Sequence, residues 1–336
     1  MNSAPQQTMT SRQRVLAALS HTQPDRVPID LGSTIVTGIS MIAYNRLKHF
    51  LKLDLPDAEY FEESARLATV DQQILDLFGV DTCGVRPGVS DLWIEHQESR
   101  QDASVLWDEW GFWRNYSSTT GTYFLDRGPL SGEISLNSIL SHSWPIPDDP
   151  GRVRGLREQI LTLRQNSDRA ILLALPSNFI LTSFELRGFE DWYIDSKLNK
   201  KLLGALLDQI LDIQLEICGI LLDEVGDLVD IVVNFDDLAM QDRLLVSLPT
   251  YQELLEPRLK KLFAFIRSKT DAVILHHTDG AVEPILDSLI EIGVDAVNPL
   301  QVSAQGMGDI SALKGKYGER LAFWGGIDTQ SLLPFG

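Results

Sequence analysis

Two histidines and an aspartate fall within four residues in Val273-Ile274-Leu275-His276-His277-Thr278-Asp279-Gly280. Imidazole and carboxylate at that spacing suit a divalent metal ion or the movement of a proton. The preceding run is apolar and β-branched, and Ala281-Val282-Glu283-Pro284-Ile285-Leu286 has a helical pattern, so the stretch reads as strand, tight turn and helix. In parallel α/β architectures chemistry collects at such carboxyl ends of strands. His276 and His277 are neighbours on a strand, so they face opposite sides and only one can point into a shared mouth. His277, Thr278 and Asp279 are the better-placed unit. One loop supplies only two ligands, however, and a metal site needs three or four. From spacing alone, His277 as a hydrogen-bonded core residue and Asp279 as a turn or helix cap fit equally well.

Similar polar clusters end other apolar runs. Asp236-Asp237-Leu238-Ala239-Met240-Gln241 follows a buried strand, and paired carboxylates there suit acid–base chemistry because two close negative charges raise one pKa. A solvated loop whose Asp caps the next helix is the alternative. Asn298-Pro299-Leu300-Gln301 and Gly325-Gly326-Ile327-Asp328 are two further ends with amide or carboxylate side chains. The candidate set is Asp236, Asp237 and His277 for catalysis; Gln241, Asn298, Gln301 and Asp328 for substrate; and His277 with Asp279 for metal. Four such ends on one rim would make an active site.

The elements that must position these residues alternate between strand and helix. Strands are expected near Val27, Val80, Ile171, Ile231, Val273, Ala296 and Ala322. Helices are expected at Ser11–Leu19 with Ser11 as cap, about Met41–Lys52, Ser64–Phe78, Gly151–Gln165, Phe184–Trp192, Asn199–Asp223 and Leu313–Tyr317. Tyr251–Ser268 should be helical too, bent at Pro257. That alternation implies a parallel sheet, and a closed (β/α)8 TIM-type barrel wants eight strands where seven are legible. The expectation is therefore a barrel truncated at its C-terminus before the eighth strand, with an open seven-stranded sheet as the alternative. Residues 1–10 read as a flexible tail and 11–336 as one barrel domain. Between about 91 and 129, Trp93, Trp107, Trp110, Trp113, Tyr116, Tyr123 and Phe124 interleave with polar residues, which predicts an insertion of β-hairpins.

Composition narrows the function. The 336 residues carry a formal charge of −18, and no Lys/Arg-rich run offers the phosphate contacts that nucleic acid requires. No apolar run approaches the roughly 18 to 20 residues that cross a bilayer, and the first residues are polar, so a cytoplasmic protein without membrane contact is expected. The two cysteines, Cys83 and Cys218, are isolated and lack metal-knuckle or disulfide spacing.

The segments Asp236–Gln241, His277-Thr278-Asp279-Gly280, Gly293–Gln301 and Phe323–Gln330 together resemble the uroporphyrinogen decarboxylase superfamily, above all its corrinoid-dependent methyltransferase branch. The likeness runs from about Pro145 to the end and is weaker earlier, where Arg12–Asp30 still resembles the family's opening. The resemblance implies a (β/α)8 barrel with its site at the carboxyl face. It also implies zinc held by a His-x-Cys-Gly motif and a later Cys, with a thiol taking a methyl group from a methylated corrinoid partner protein. His277 matches the motif's His, and Asp279 stands where its Cys would be. A carboxylate is a harder ligand than thiolate, which shifts the expected acceptor from a thiol toward a folate or an O-demethylase-like role. The family's decarboxylases meet their many-carboxylate substrate with an arginine-bearing stretch after the first strand. Here Ile29-Asp30-Leu31-Gly32-Ser33-Thr34-Ile35 occupies that place. Decarboxylation is thus the second expectation, and a barrel that binds without turnover the third.

Overall fold

The computed structural model describes residues 8–92, 105–119 and 122–336. In chain order, a short antiparallel ribbon of β1 (Tyr60–Glu62) and β2 (Leu67–Ala68) precedes β3 (Thr82–Val85). Strands β4 (Val105–Trp107), β5 (Trp113–Ser117) and β6 (Thr122–Leu125) then form a separate antiparallel sheet. Strands β7 (Ala170–Ala174), β8 (Ile231–Phe235), β9 (Val273–His277), β10 (Ala296–Leu300) and β11 (Ala322–Gly325) join β3 in a parallel sheet ordered β11-β10-β9-β8-β7-β3. These six strands curl as an arc of a TIM-type barrel, so their carboxyl ends share one rim.

The strands are apolar on both faces because both faces are covered. Alternate residues sort into two cores. Ile171, Leu173, Val232, Ile274 and Val297 pack outward beneath the helices, while Ala170, Leu172, Ile231, Val233, Leu275, Ala296 and Ala322 line the inside of the arc. The helix Ser11–Leu19 closes the interior from the amino-terminal end with Val15 and Leu19. Ion pairs fix it there: Arg14 to Asp25 and Asp81, and Arg12 to Asp230, which also takes Arg164. The principal outer helix, Lys200–Val225, is amphipathic and buries Leu203, Leu207, Ile210, Leu211, Cys218 and Leu221 against its neighbours.

Several boundaries differ from the sequence expectation. Asp25–Leu31 makes no strand. It is tied to β3 by the Asp81 N–H donating to the Ile29 carbonyl and the Ile29 N–H donating to the Asp81 carboxylate, both at 2.8 Å. Pro28 lacks a donor, which disfavours a continuous ladder. The segment still runs alongside β3, so closely that a Cβ on Gly84 would lie 1.5 Å from the Ser33 carbonyl oxygen. Thr10 rather than Ser11 caps the first helix, and the Thr8 and Met9 amides donate to Asp25. Residues 8–10 are therefore anchored, while 1–7 lie outside the described residues. The expected helix over Ser64–Phe78 shrinks to Gln72–Leu77, because Leu67 and Ala68 pair with β1 instead. The helix expected at Phe184–Trp192 is two helices, Phe179–Arg187 and Phe189–Leu198, divided at Gly188 with φ +81°. A π turn over Tyr251–Leu255 precedes the α-helix Glu256–Lys269, which carries Pro257 in its first turn. The aromatic insertion is the hairpin sheet β4–β6, with Trp93 and positions 93–104 and 120–121 outside the described residues.

Candidate functional site

The inside–outside alternation decides the two histidines. Val273 and Leu275 point into the arc and Ile274 away from it, so His276 falls outward and His277 inward. His276 is fully buried, edge-on to Phe263 at 5.6 Å, with Nδ1 bonded to the Asn234 side-chain oxygen. Burial, reinforced by His277, pushes its pKa down to about 3, so it is a neutral core residue. His277 stands at the rim with only 12% of its side chain exposed.

Loops after β8 and β9 are stitched together around His277. The Leu238 N–H donates to the Thr278 hydroxyl at 2.9 Å, the Ala281 N–H to the Met240 carbonyl at 2.8 Å, and the Asp279 N–H to Asp237 Oδ1 at 2.9 Å. Gly280 is required where the loops touch. Its φ is +95°, and a Cβ there would lie 2.4 Å from the Met240 carbonyl oxygen. The Gly280 N–H donates to Gln301 Oε1 at 2.6 Å, which joins the loop after β10 to the other two.

The stitching brings Asp237, His277 and Asp279 together, with one potential ligand atom from each within 4.8 Å of the others. His277 Nε2 is 3.8 Å from Asp237 Oδ1 and 3.8 Å from Asp279 Oδ2. On the other side of the ring, Nδ1 lies 2.7 Å from Asn298 Oδ1. With that carbonyl as acceptor, Nδ1 carries the proton and Nε2 turns its lone pair toward the carboxylates. A histidine held this way by a buried partner is the usual arrangement of a metal ligand. Burial raises the pKa of Asp279, and the nearby Asp237 raises it further against the opposing pull of His277.

The donor set decides which ion could fit. Around a four-coordinate ion with bonds of roughly 2.0–2.2 Å, ligand atoms stand roughly 3.3–3.5 Å apart. The observed 3.8 Å separations are a few tenths of an ångström wider, within reach of small rotations of the two half-exposed carboxylates. A nitrogen and two oxygens suit zinc or another divalent ion of intermediate hardness. A thiolate site does not fit. Cys83 lies on β3, where burial pushes its thiol up to about 11, and Cys218 is fully buried in the helix Lys200–Val225.

The other expected site residues divide. Asp236 does not share the cavity with Asp237. It is 1% exposed and accepts from the Ile180 and Leu181 N–H groups at 2.9 and 2.8 Å, holding the start of the helix Phe179–Arg187. Burial pushes its pKa well above the usual carboxylate range, against those two bonds. Asn298 is buried behind His277 rather than open to a substrate, and Gln301 is tied to Gly280. Asp328 turns back to accept from the Gln330 and Ser331 amides. Gln241 is exposed at the rim, its carbonyl accepting from the Gln305 N–H at 2.8 Å. Sequence reading missed Asp237 as a third candidate ligand and Asn298 as the partner of His277. The Asp-Asp doublet held a clue, since neighbouring side chains in extended backbone turn opposite ways.

A family model for uroporphyrinogen decarboxylase (URO-D) matches residues 139–336, more than half of the chain and all of the candidate site. The chain belongs to the uroporphyrinogen decarboxylase family. Among solved structures, a methyltransferase from Methanosarcina mazei is similar, with a TM-score of 0.54 and 20% identity over 87% of this chain and 76% of that one. At that identity the likeness bears on the fold, and it agrees with the URO-D barrel. No functionally curated protein matches the chain. None of the described helices is long and apolar enough to cross a membrane.

Proposed function

We propose that this URO-D family member is a metal-dependent, methyltransferase-like enzyme that moves a methyl group between a corrinoid carried by a partner protein and a small acceptor. The observation that carries the reading is the cluster of Asp237, His277 and Asp279 at the carboxyl rim, with His277 locked by Asn298. A divalent ion bound there, zinc in the first instance, would supply Lewis-acid activation of the acceptor's nucleophilic atom. The chain's own part is to hold and orient. Asn298 fixes the His277 tautomer, and the Asp279 amide aims the Asp237 carboxylate. Gln301 pins the turn at Gly280 so that both carboxylates converge. Oxygen ligands in place of thiolates leave the ion a stronger Lewis acid, which favours a folate or hydroxyl-derived acceptor over a thiol.

Uroporphyrinogen decarboxylation is the second reading, supported by the family assignment. Against it stands the segment Ile29–Ile35, which offers no arginine to a polycarboxylate. Assays of the zinc-loaded protein separate the two. Loss of methyl groups from methylcobalamin in the presence of a folate or thiol acceptor, abolished in His277→Ala, supports methyl transfer. Consumption of uroporphyrinogen without demethylation would replace that reading with the decarboxylase one.

A further inference from the structure

The rim carries a cation that the metal-centred reading leaves unused. Of the two residues that directly follow each of the six parallel strands, Arg86 after β3 is the only basic one; the corresponding places after β8 and β9 include Asp237 and Asp279. Its guanidinium lies over the Phe61 ring, 4.9 Å from the centroid, and donates through Nη1 to the Phe61 carbonyl. Phe61 belongs to the β1–β2 ribbon, a separate antiparallel pair that Arg86 therefore joins to the end of β3.

Like Arg46, Arg66 and Arg127 among the described residues, Arg86 has no carboxylate partner, and of these four it alone directly follows a strand of the parallel sheet. In this acidic chain most described arginines are paired with carboxylates, among them Arg12, Arg14, Arg114, Arg152, Arg187 and Arg258. Among the described residues Arg86 forms no ion pair. Glu62, the described acid whose charge bears on it, spends its carboxylate on the Ser64 hydroxyl and the Ala65 amide. Toward the described residues one N–H is used, which leaves four more to offer. An exposed guanidinium stacked on an aromatic ring, with donors to spare, is a ready receptor for carboxylate or phosphate.

We propose that Arg86 anchors an anionic group, carboxylate or phosphate, at one end of a substrate whose other end reaches Asp237, His277 and Asp279. The inference rests on the reading of that cluster as the reacting centre. Strands β8 and β9 stand two and three ladder steps from β3, so the anchor and the centre lie roughly 10–14 Å apart along the rim. The acceptor is then an elongated molecule with its charge at the far end from the reacting atom. The arrangement also resolves the electrostatics, because the carboxylates repel an anion near the cluster and Arg86 directs it to the opposite side of the mouth.

The test titrates inorganic phosphate and butyrate into the full chain, observed by NMR line broadening of each probe, for wild type, Arg86→Gln, Arg86→Lys and His277→Ala. Wild type and His277→Ala are expected to bind at least one probe saturably, and whichever probe binds better names the anion. Arg86→Gln should weaken binding roughly tenfold, the loss expected for one charged hydrogen-bonding group, while Arg86→Lys retains most of it. Metal content and thermal unfolding of Arg86→Gln should match wild type. Equal binding by Arg86→Gln, or no saturable binding of either probe by wild type, overturns the proposal. Failure of the metal reading looks different, with a wild type that holds no zinc yet binds the anion.

Discussion

Removing the side-chain carbonyl of Asn298 tests the logic of the site without touching a ligand. In Asn298→Ala the His277 Nδ1–H loses an acceptor at 2.7 Å in a place only 3% exposed, where water has little access. The ring is then free to take the other tautomer, with the proton on Nε2 facing Asp237 and Asp279. Outer partners of metal-bound histidines are worth roughly 10–100-fold in affinity, which converts to about 1.4–2.7 kcal/mol. The unsatisfied donor and the small cavity should also lower stability by about 1–3 kcal/mol. Competition against a chromophoric chelator gives the affinity, and denaturant unfolding of the metal-free protein gives the stability. Asn298→Asp keeps an acceptor in the same place and should recover most of the affinity. Wild-type zinc affinity in Asn298→Ala, with His277→Ala abolishing binding, would refute the idea that this hydrogen bond selects the tautomer.

Four further outcomes are expected. Asp236→Ala should cost about 0.5–2 kcal/mol through loss of the two N–H bonds that start the helix Phe179–Arg187, while leaving zinc stoichiometry unchanged; calorimetric melting with metal analysis checks both. Because the Asp279 pKa is raised in the folded state, its charged form costs stability at neutral pH, and that cost is relieved as pH falls through the folded value. Asp279→Asn should therefore slightly stabilise the metal-free protein at pH 7, by under about 1 kcal/mol since the group is half exposed, while losing the metal. In wild type, zinc release on acidification should begin above the ordinary Asp range, as an equilibrium titration would show. His276 works in the opposite sense. Its folded pKa near 3 lies below the unfolded value of about 6.5, so the unfolded chain takes up a proton first and stability falls as pH drops between the two. The slope approaches about 1.4 kcal/mol per pH unit, and His276→Gln should flatten it in unfolding curves between pH 7 and 4.

Much of the frame was legible because buried parallel strands write themselves as apolar runs. Ala170–Ala174, Ile231–Phe235 and Val273–His277 were each expected as strands and each lies in the sheet. Alternation along β9 likewise foretold that only one of the two histidines could enter the mouth. Where the reading failed, long-range contacts outweighed local preference. Val27–Leu31 looks like a strand but is held beside β3 by the Asp81 main chain and carboxylate instead of a ladder. The stretch from Ser64 has a helical pattern, yet β1 claims Leu67 and Ala68. At the site, residue types were visible but their directions were not. Asp236 and Asp237 look equivalent in sequence, and only the position of the helix Phe179–Arg187 makes one a buried cap and leaves the other at the rim. Asn298 looked like a substrate contact for the same reason: nothing in its spacing from His277 announces that the two side chains meet across β9 and β10. Arg86 gave no motif at all, and it stands out only once its place directly after β3 and its stacking on Phe61 are seen.

The most direct test of the metal centre is the zinc content of untagged protein after equilibration with zinc and gel filtration, for wild type and for Asp237→Asn, His277→Ala and Asp279→Asn. The account predicts one tightly held zinc per wild-type chain and loss of it in each of the three variants, with folding intact by circular dichroism. A wild type that retains no zinc, or variants that keep it in full, would contradict the claim that these three side chains form one site.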